Sequence, residues 1–192
     1  MVRLRLISLG LAAMIWTYGK APLIEFWPAS SATSAVPVVV MPFALLLLVG
    51  SLRPGNPTSA GADMKPRKGE ELPVKGITKV TRHPMLWAFT LWAASHMIAN
   101  GDAATLVLAG SILVTAVNGM VSIDRKRANK LGDVWQRFIG KTSILPFAAV
   151  QAGRVKLSAS DIGWVNVLGA AALYAVFLWG HAALFGVPAY HP

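Results

Sequence analysis

Long apolar runs alternate with short turn-rich or basic breaks along the whole chain, and the run lengths match a bilayer better than a soluble core. A membrane-spanning helix needs about 20 mainly apolar residues. Residues 4–26 meet that length, with Trp16, Tyr18 and Phe26 toward the far end. Residues 28–34 form a turn-rich break. Residues 35–52 give a second span, whose Pro37 and Pro42 predict a kink that neighbouring helices can tolerate. Residues 53–81 are polar and rich in Pro and Gly, which predicts a loop. Residues 85–98 and 103–123 then form an apolar hairpin around Asn100-Gly101-Asp102, and residues 162–185 give the last span. Between them, residues 131–147 carry Trp135, Phe138 and Ile139 among charges, the pattern of an interfacial amphipathic helix. The expected fold is all-α, a single polytopic membrane domain over residues 1–192 with about five transmembrane helices.

Composition agrees with this reading. Of 192 residues, 55% are hydrophobic and 14% charged, against about one quarter charged in soluble domains. The net charge of +10 suggests nucleic acid until the basic residues are placed. Arg3 and Arg5 stand at the start of the first span, only Lys20 falls near the turn after it, seven Lys or Arg lie in the loop after the second, none in the hairpin turn, eight in the loop after the fourth and none in the tail. That alternation is what the positive-inside rule requires. It predicts the N-terminus inside and the C-terminus outside, and it makes the basic pI a topology signal, so no nucleic-acid partner is expected. Cysteine is absent, which excludes disulfides and thiolate metal sites. The first apolar stretch lacks a small-residue cleavage site and is expected to be a retained helix.

The candidate chemistry lies at helix ends. In Arg82-His83-Pro84, Pro84 suits the first helical turn, where its missing N–H is no loss, and it pushes His83 out of helical geometry. Arg82 and His83 are therefore either an interfacial cap or contacts for a ligand at the inner face. His96 lies about a turn from the end of an apolar span, where an ionisable residue is a functional candidate by default; the bland alternative is an imidazole hydrogen-bonded to a neighbouring helix. His181 falls at a similar depth in the last span. Two imidazoles at one depth suit a haem iron or another metal.

Several motifs resemble the NnrU family of bacterial membrane proteins, named for an association with nitrite and nitric oxide reduction. They are Tyr18-Gly19, Arg82-His83-Pro84-Met85-Leu86, Leu91-Trp92-Ala93-Ala94-Ser95-His96 and Ala99-Asn100-Gly101-Asp102. Asp124-Arg125-Lys126-Arg127, Thr142-Ser143-Ile144-Leu145-Pro146-Phe147, and His181 with Leu184-Phe185-Gly186 continue the likeness. Plant zeta-carotene isomerases are similar to that family. The resemblance implies a bacterial inner-membrane location and a role in nitrogen-oxide or haem-linked redox metabolism. It also implies a haem b held by histidines, with isomerisation of a polyene as the chemistry. His96 is then the preferred metal ligand. Family members typically begin with a further helix bearing a His-Ser pair, to which nothing here corresponds, so His181 is the candidate for the second ligand.

A second resemblance leads to another class. Membrane methyltransferases of the isoprenylcysteine and phospholipid type, and related sterol reductases, also carry Arg-His-Pro at the start of a helix hairpin. They follow it with an acid, Leu-Gly, an aromatic and a Pro. Asp124, Leu131-Gly132, Trp135, Phe138 and Leu145-Pro146 fall in that order. The likeness implies S-adenosylmethionine or a similar cofactor around Arg82, His83 and Asp124, although Leu86 stands where a tyrosine is usual. A non-catalytic assembly or regulatory protein is the third reading. The expected partners are the lipid bilayer and haem or another hydrophobic small molecule.

Overall fold

The structure, a computed structural model, describes residues 9–10, 13–14, 16–59, 66 and 70–190. It is mainly helical. Residues described between 9 and 18 are helical, and the chain then leaves the helix. The span expected over 4–26 therefore does not run to its predicted end. Residues Glu25–Trp27 form a short strand, β1, instead. Its antiparallel partner is β2, Gly101–Asp102, inside the predicted hairpin turn. Ala103 N–H donates to Ile24 O at 2.8 Å, and Trp27 Nε1 donates to Ile98 O at 3.1 Å. The ribbon depends on a glycine, because a Cβ at position 101 would run into the backbone and ring of Trp27.

Helix α1, Ser31–Ser51, opens with a reciprocal cap. Thr33 N–H donates to Ser30 Oγ at 3.2 Å and Ser30 N–H to Thr33 Oγ1 at 2.9 Å, meeting two of the donors that a helix start leaves open. Pro37 and Pro42 lie inside it, and the helix continues through both. Pro42 cannot donate to Val38 O, the carbonyl four residues back. That carbonyl accepts instead from Tyr174 Oη at 2.9 Å.

After a loop and a 3₁₀ turn at Gly76–Lys79, α2 spans Pro84–Ala99, with Pro84 in its first turn and His83 outside helical geometry, as expected. Its 16 residues rise about 24 Å, less than the roughly 30 Å of a bilayer core. Helix α3, Ala103–Leu131, has 29 residues and outlasts its predicted span by two turns. Short helices α4 (Asp133–Lys141), α5 (Ala148–Gln151) and α6 (Ala159–Ile162) follow, and α7 spans Trp164–Phe185. Helix α1 packs against α2 and α7, and α2 against α3, so the lateral order is α7, α1, α2, α3.

Three helices, α1, α3 and α7, are long and apolar enough to cross a membrane among the described residues. Their packing makes the same point. Only Asn166 and Ala170 are buried on α7, while Trp164 is 73% and Trp179 82% exposed. Large apolar side chains turned outward along a whole helix require lipid rather than water around them. The protein is therefore a multi-pass helical membrane protein. The ends of α1 and α3 and the starts of α2 and α7 share one face, as the Arg53–Asn166 and Arg82–Asp124 contacts show, so the described parts of both basic loops gather there.

The amphipathic helix expected over 131–147 is shorter and differently employed. Helix α4 covers nine of those residues, and its Trp135 and Phe138 are fully buried. They pack with Leu72, and Val74, Ala128 and Leu131 close around them. The apolar face meets this chain's own loop and the end of α3 in place of lipid.

Candidate functional site

Two groups of side chains stand at opposite ends of the bundle. At the basic end, Thr81 to His83 enter α2 through a groove made by residues 142–147. Arg82 N–H donates to Ser143 O at 2.9 Å, Phe147 N–H to Val80 O at 2.8 Å, and Thr81 Oγ1 to Ile144 O at 2.6 Å. Trp87 Nε1 donates to the same Ile144 carbonyl at 2.8 Å. The Thr142–Phe147 motif thus serves as a backbone partner for Thr81-Arg82-His83, a role that spacing alone did not reveal.

Asp124, projecting from α3, completes the group. Arg82 Nε lies 2.9 Å and Nη2 2.6 Å from Asp124 Oδ2, and His83 Nε2 lies 2.8 Å from Oδ1. Arg82 is 7% and His83 1% exposed. The fork geometry is the strongest form of a charged hydrogen bond, and burial makes each member dependent on the others. The other ring nitrogen, His83 Nδ1, is buried with no hydrogen-bond partner among the described residues. The structure thus brings Arg82, His83 and Asp124 together, and their facing donors and acceptors are spent on one another. That arrangement locks α2 to α3.

The other group surrounds a cavity of about 670 Å³ between α1, α2 and α7, within the ~300–1,000 Å³ typical of small-molecule sites. Pro37, Met41 and Leu45 of α1, Phe89 and Trp92 of α2, and Phe177 and Leu178 of α7 supply apolar walls. His96 and His181 both line it, so the two histidines matched only by depth in the sequence meet at one site. His96 Nδ1 lies 2.8 Å from Trp92 O, and His181 Nδ1 lies 2.8 Å from Val187 O. A carbonyl can only accept, so each Nδ1 carries a proton, and in the neutral imidazole Nε2 is then the nitrogen with the lone pair. This is the tautomer of an imidazole ligand oriented by a backbone carbonyl. Trp92 stacks on His96 with ring centroids 4.8 Å apart, and Phe185 lies 4.9 Å from the His181 ring. Each imidazole is therefore held at one ring nitrogen and against one aromatic face.

Further residues complete the cavity. Tyr174 lines it while bonding Val38, and Glu25 and Asp102 stand at the rim beside the β1–β2 ribbon. The signal for Tyr174 was present as a polar handle in an apolar helix, opposite a proline that frees a carbonyl. Among the described residues no group of three or more His, Cys, Asp or Glu forms a metal cluster; the two imidazoles are the ring-nitrogen donors lining the cavity, with the Glu25 and Asp102 carboxylates beside the ribbon.

Over 82 residues the chain is 28% identical to the chloroplastic 15-cis-zeta-carotene isomerase of Zea mays, covering 43% of this chain and 22% of that protein. It is 34% identical over 83 residues to the isomerase of the same name from Arabidopsis thaliana, covering 41% and 22%. The chain thus matches about a fifth of the length of these curated relatives. No solved structure matches it. The family described as NnrU protein matches residues 4–189, nearly the whole length, and the chain belongs to that family.

Proposed function

We propose that this protein holds a haem b between His96 and His181 in the cavity of α1, α2 and α7, and uses it on a hydrophobic, polyene-like substrate in isomerase-like chemistry. The observation that carries the reading is the pair of imidazoles on one apolar cavity, each with Nδ1 bound to a carbonyl and Nε2 left as a donor to a metal. The partial likeness to zeta-carotene isomerases supports the substrate class. Haem bound there would supply an iron centre beside an apolar chamber, able to engage the electrons of a conjugated double bond.

The chain's own residues do the rest. Phe89, Trp92 and Phe177 offer flat apolar surfaces that orient a planar, water-insoluble molecule. The walls exclude water, which strengthens the electrostatic effect of the few polar groups at the rim. The same ligand pair serves the haem-linked or nitrogen-oxide-linked redox role that the family resemblance implies. The charge pattern and the shared basic face support insertion in a bacterial inner membrane with the N-terminus and the Arg82–Asp124 end inside.

The test is spectroscopic. The full chain, purified in detergent after expression with ample haem, is expected to show a Soret band. That band is expected to weaken and shift in His181→Ala, and to be lost in His96→Ala. A folded wild-type protein with no Soret band refutes the haem reading.

A further inference from the structure

A second cavity, of about 460 Å³, opens at the basic end between the exit of α1, the 3₁₀ turn and the start of α7. We propose that it binds the phosphate of an anionic phospholipid headgroup, clasped between Arg53 and Lys75. Both side chains line the cavity and are exposed, and neither has a carboxylate partner among the described residues. The nearby acid, Asp161, is occupied by Lys79 at 2.7 Å. That ion pair closes one side of the cavity without consuming either of the two cations.

Arg53 is held in place for this task. Its Nε donates to Asn166 Oδ1 at 3.0 Å, and the buried Asn166 is itself fixed through Nδ2 to Ile162 O at 2.6 Å. The two terminal nitrogens of the guanidinium remain as a fork, the shape that matches phosphate oxygens. Lys75 reaches the cavity across Gly55, which has a φ of +86°. A Cβ there would come within 3.1 Å of Lys75 Nζ. Gly163, with a φ of +75°, starts α7 against the same arginine. The small residues keep the room that the cations need.

The surroundings identify the anion's source. Leu52, 67% exposed, and Trp164, 73% exposed, adjoin the cavity-lining Arg53 and Gly163 at the ends of two helices long and apolar enough to cross a membrane. A phosphate carried on two acyl chains fits that boundary, where each basic residue near an anionic surface adds favourable attraction. The site is at the end of the bundle opposite His96 and is independent of the haem reading.

Native mass spectrometry of the full chain in detergent tests this with phosphatidylglycerol, phosphatidylcholine and inorganic phosphate as probes. Wild type is expected to retain one phosphatidylglycerol and to prefer it to phosphatidylcholine. Arg53→Gln with Lys75→Gln is expected to weaken retention on the order of tenfold or more. Lys75→Gln alone, which leaves the Arg53–Asn166 bond intact, is expected to weaken it by about fivefold. Unchanged retention in the folded Lys75→Gln protein overturns the proposal, and so does inorganic phosphate binding as tightly as the lipid.

Discussion

The hydroxyl of Tyr174 on α7 donates to the backbone carbonyl of Val38 on α1 at 2.9 Å. That carbonyl is the one Pro42 leaves without its helical donor. An α-helix inside a bilayer must find an internal partner for such a group. The tyrosine supplies it from a neighbouring helix and joins α7 to α1 in the same act.

Tyr174→Phe is therefore expected to destabilise the bundle by about 1 kcal/mol, the usual net worth of one hydrogen bond. In a Pro42→Ala background the restored N–H addresses Val38 O from within α1. There the same substitution is expected to cost less than half as much. Thermal or denaturant unfolding of the four proteins in one detergent gives the cycle, and equal costs in both backgrounds would contradict this account.

Removing Asp124 leaves the Arg82 guanidinium buried without its counter-charge. Asp124→Ala is expected to cost roughly 3–5 kcal/mol. Replacing the pair together, as Arg82→Met with Asp124→Leu, is expected to recover much of that loss, since no lone charge stays behind. The same measurements in His83→Gln report the smaller contribution of the third member.

The Lys79–Asp161 pair predicts an acid-sensitive step. The Lys79 ammonium and the Ser158 hydroxyl and N–H bonds hold the Asp161 carboxyl down, from an ordinary 3.8 to about 2, against the opposing pull of partial burial. A depressed carboxyl stabilises the fold fully above its unfolded value. That contribution is lost as pH falls from about 4 toward 2. Asp161→Asn is expected to flatten the melting temperature across this window relative to wild type, and the two proteins should converge at the acid end.

Much of the architecture was legible from run lengths and charge positions. The apolar runs located α1, α2, α3 and α7, because lipid demands a continuous apolar length and tolerates few charges. The rule that alternates basic loops put Arg53, Arg82 and residues 125–156 on one side, where the structure gathers them. Arg82, His83 and Asp124 were legible as a set through the resemblance, but their mutual bonding was not, since it depends on how α2 and α3 face each other. The convergence of His96 and His181 required the lateral order of the helices, which hydropathy does not encode. The end of the first span was misread because Phe26 and Trp27 look like lipid anchors. They belong to a ribbon whose pairing with Gly101 and Asp102 is a contact over more than 70 residues.

Gly101→Ala tests that ribbon. The added methyl has no room beside Trp27, so the strand pair is expected to separate at a cost of about 1–3 kcal/mol. Because Glu25 and Asp102 line the larger cavity, protease cleavage near residues 20–28 should accelerate in the variant and not in Gly140→Ala, where the backbone is helical and a Cβ meets nothing.

Helix α7 is fastened in two places, by Arg53 to Asn166 at its start and by Tyr174 to Val38 near its middle. Beyond Tyr174, among the described residues, its side chains make no hydrogen bond to another helix. The half of α7 that carries His181 therefore closes its side of the chamber through apolar side chains such as Phe177 and Leu178, so the spacing of that wall is set by side-chain volume and not by hydrogen-bond length.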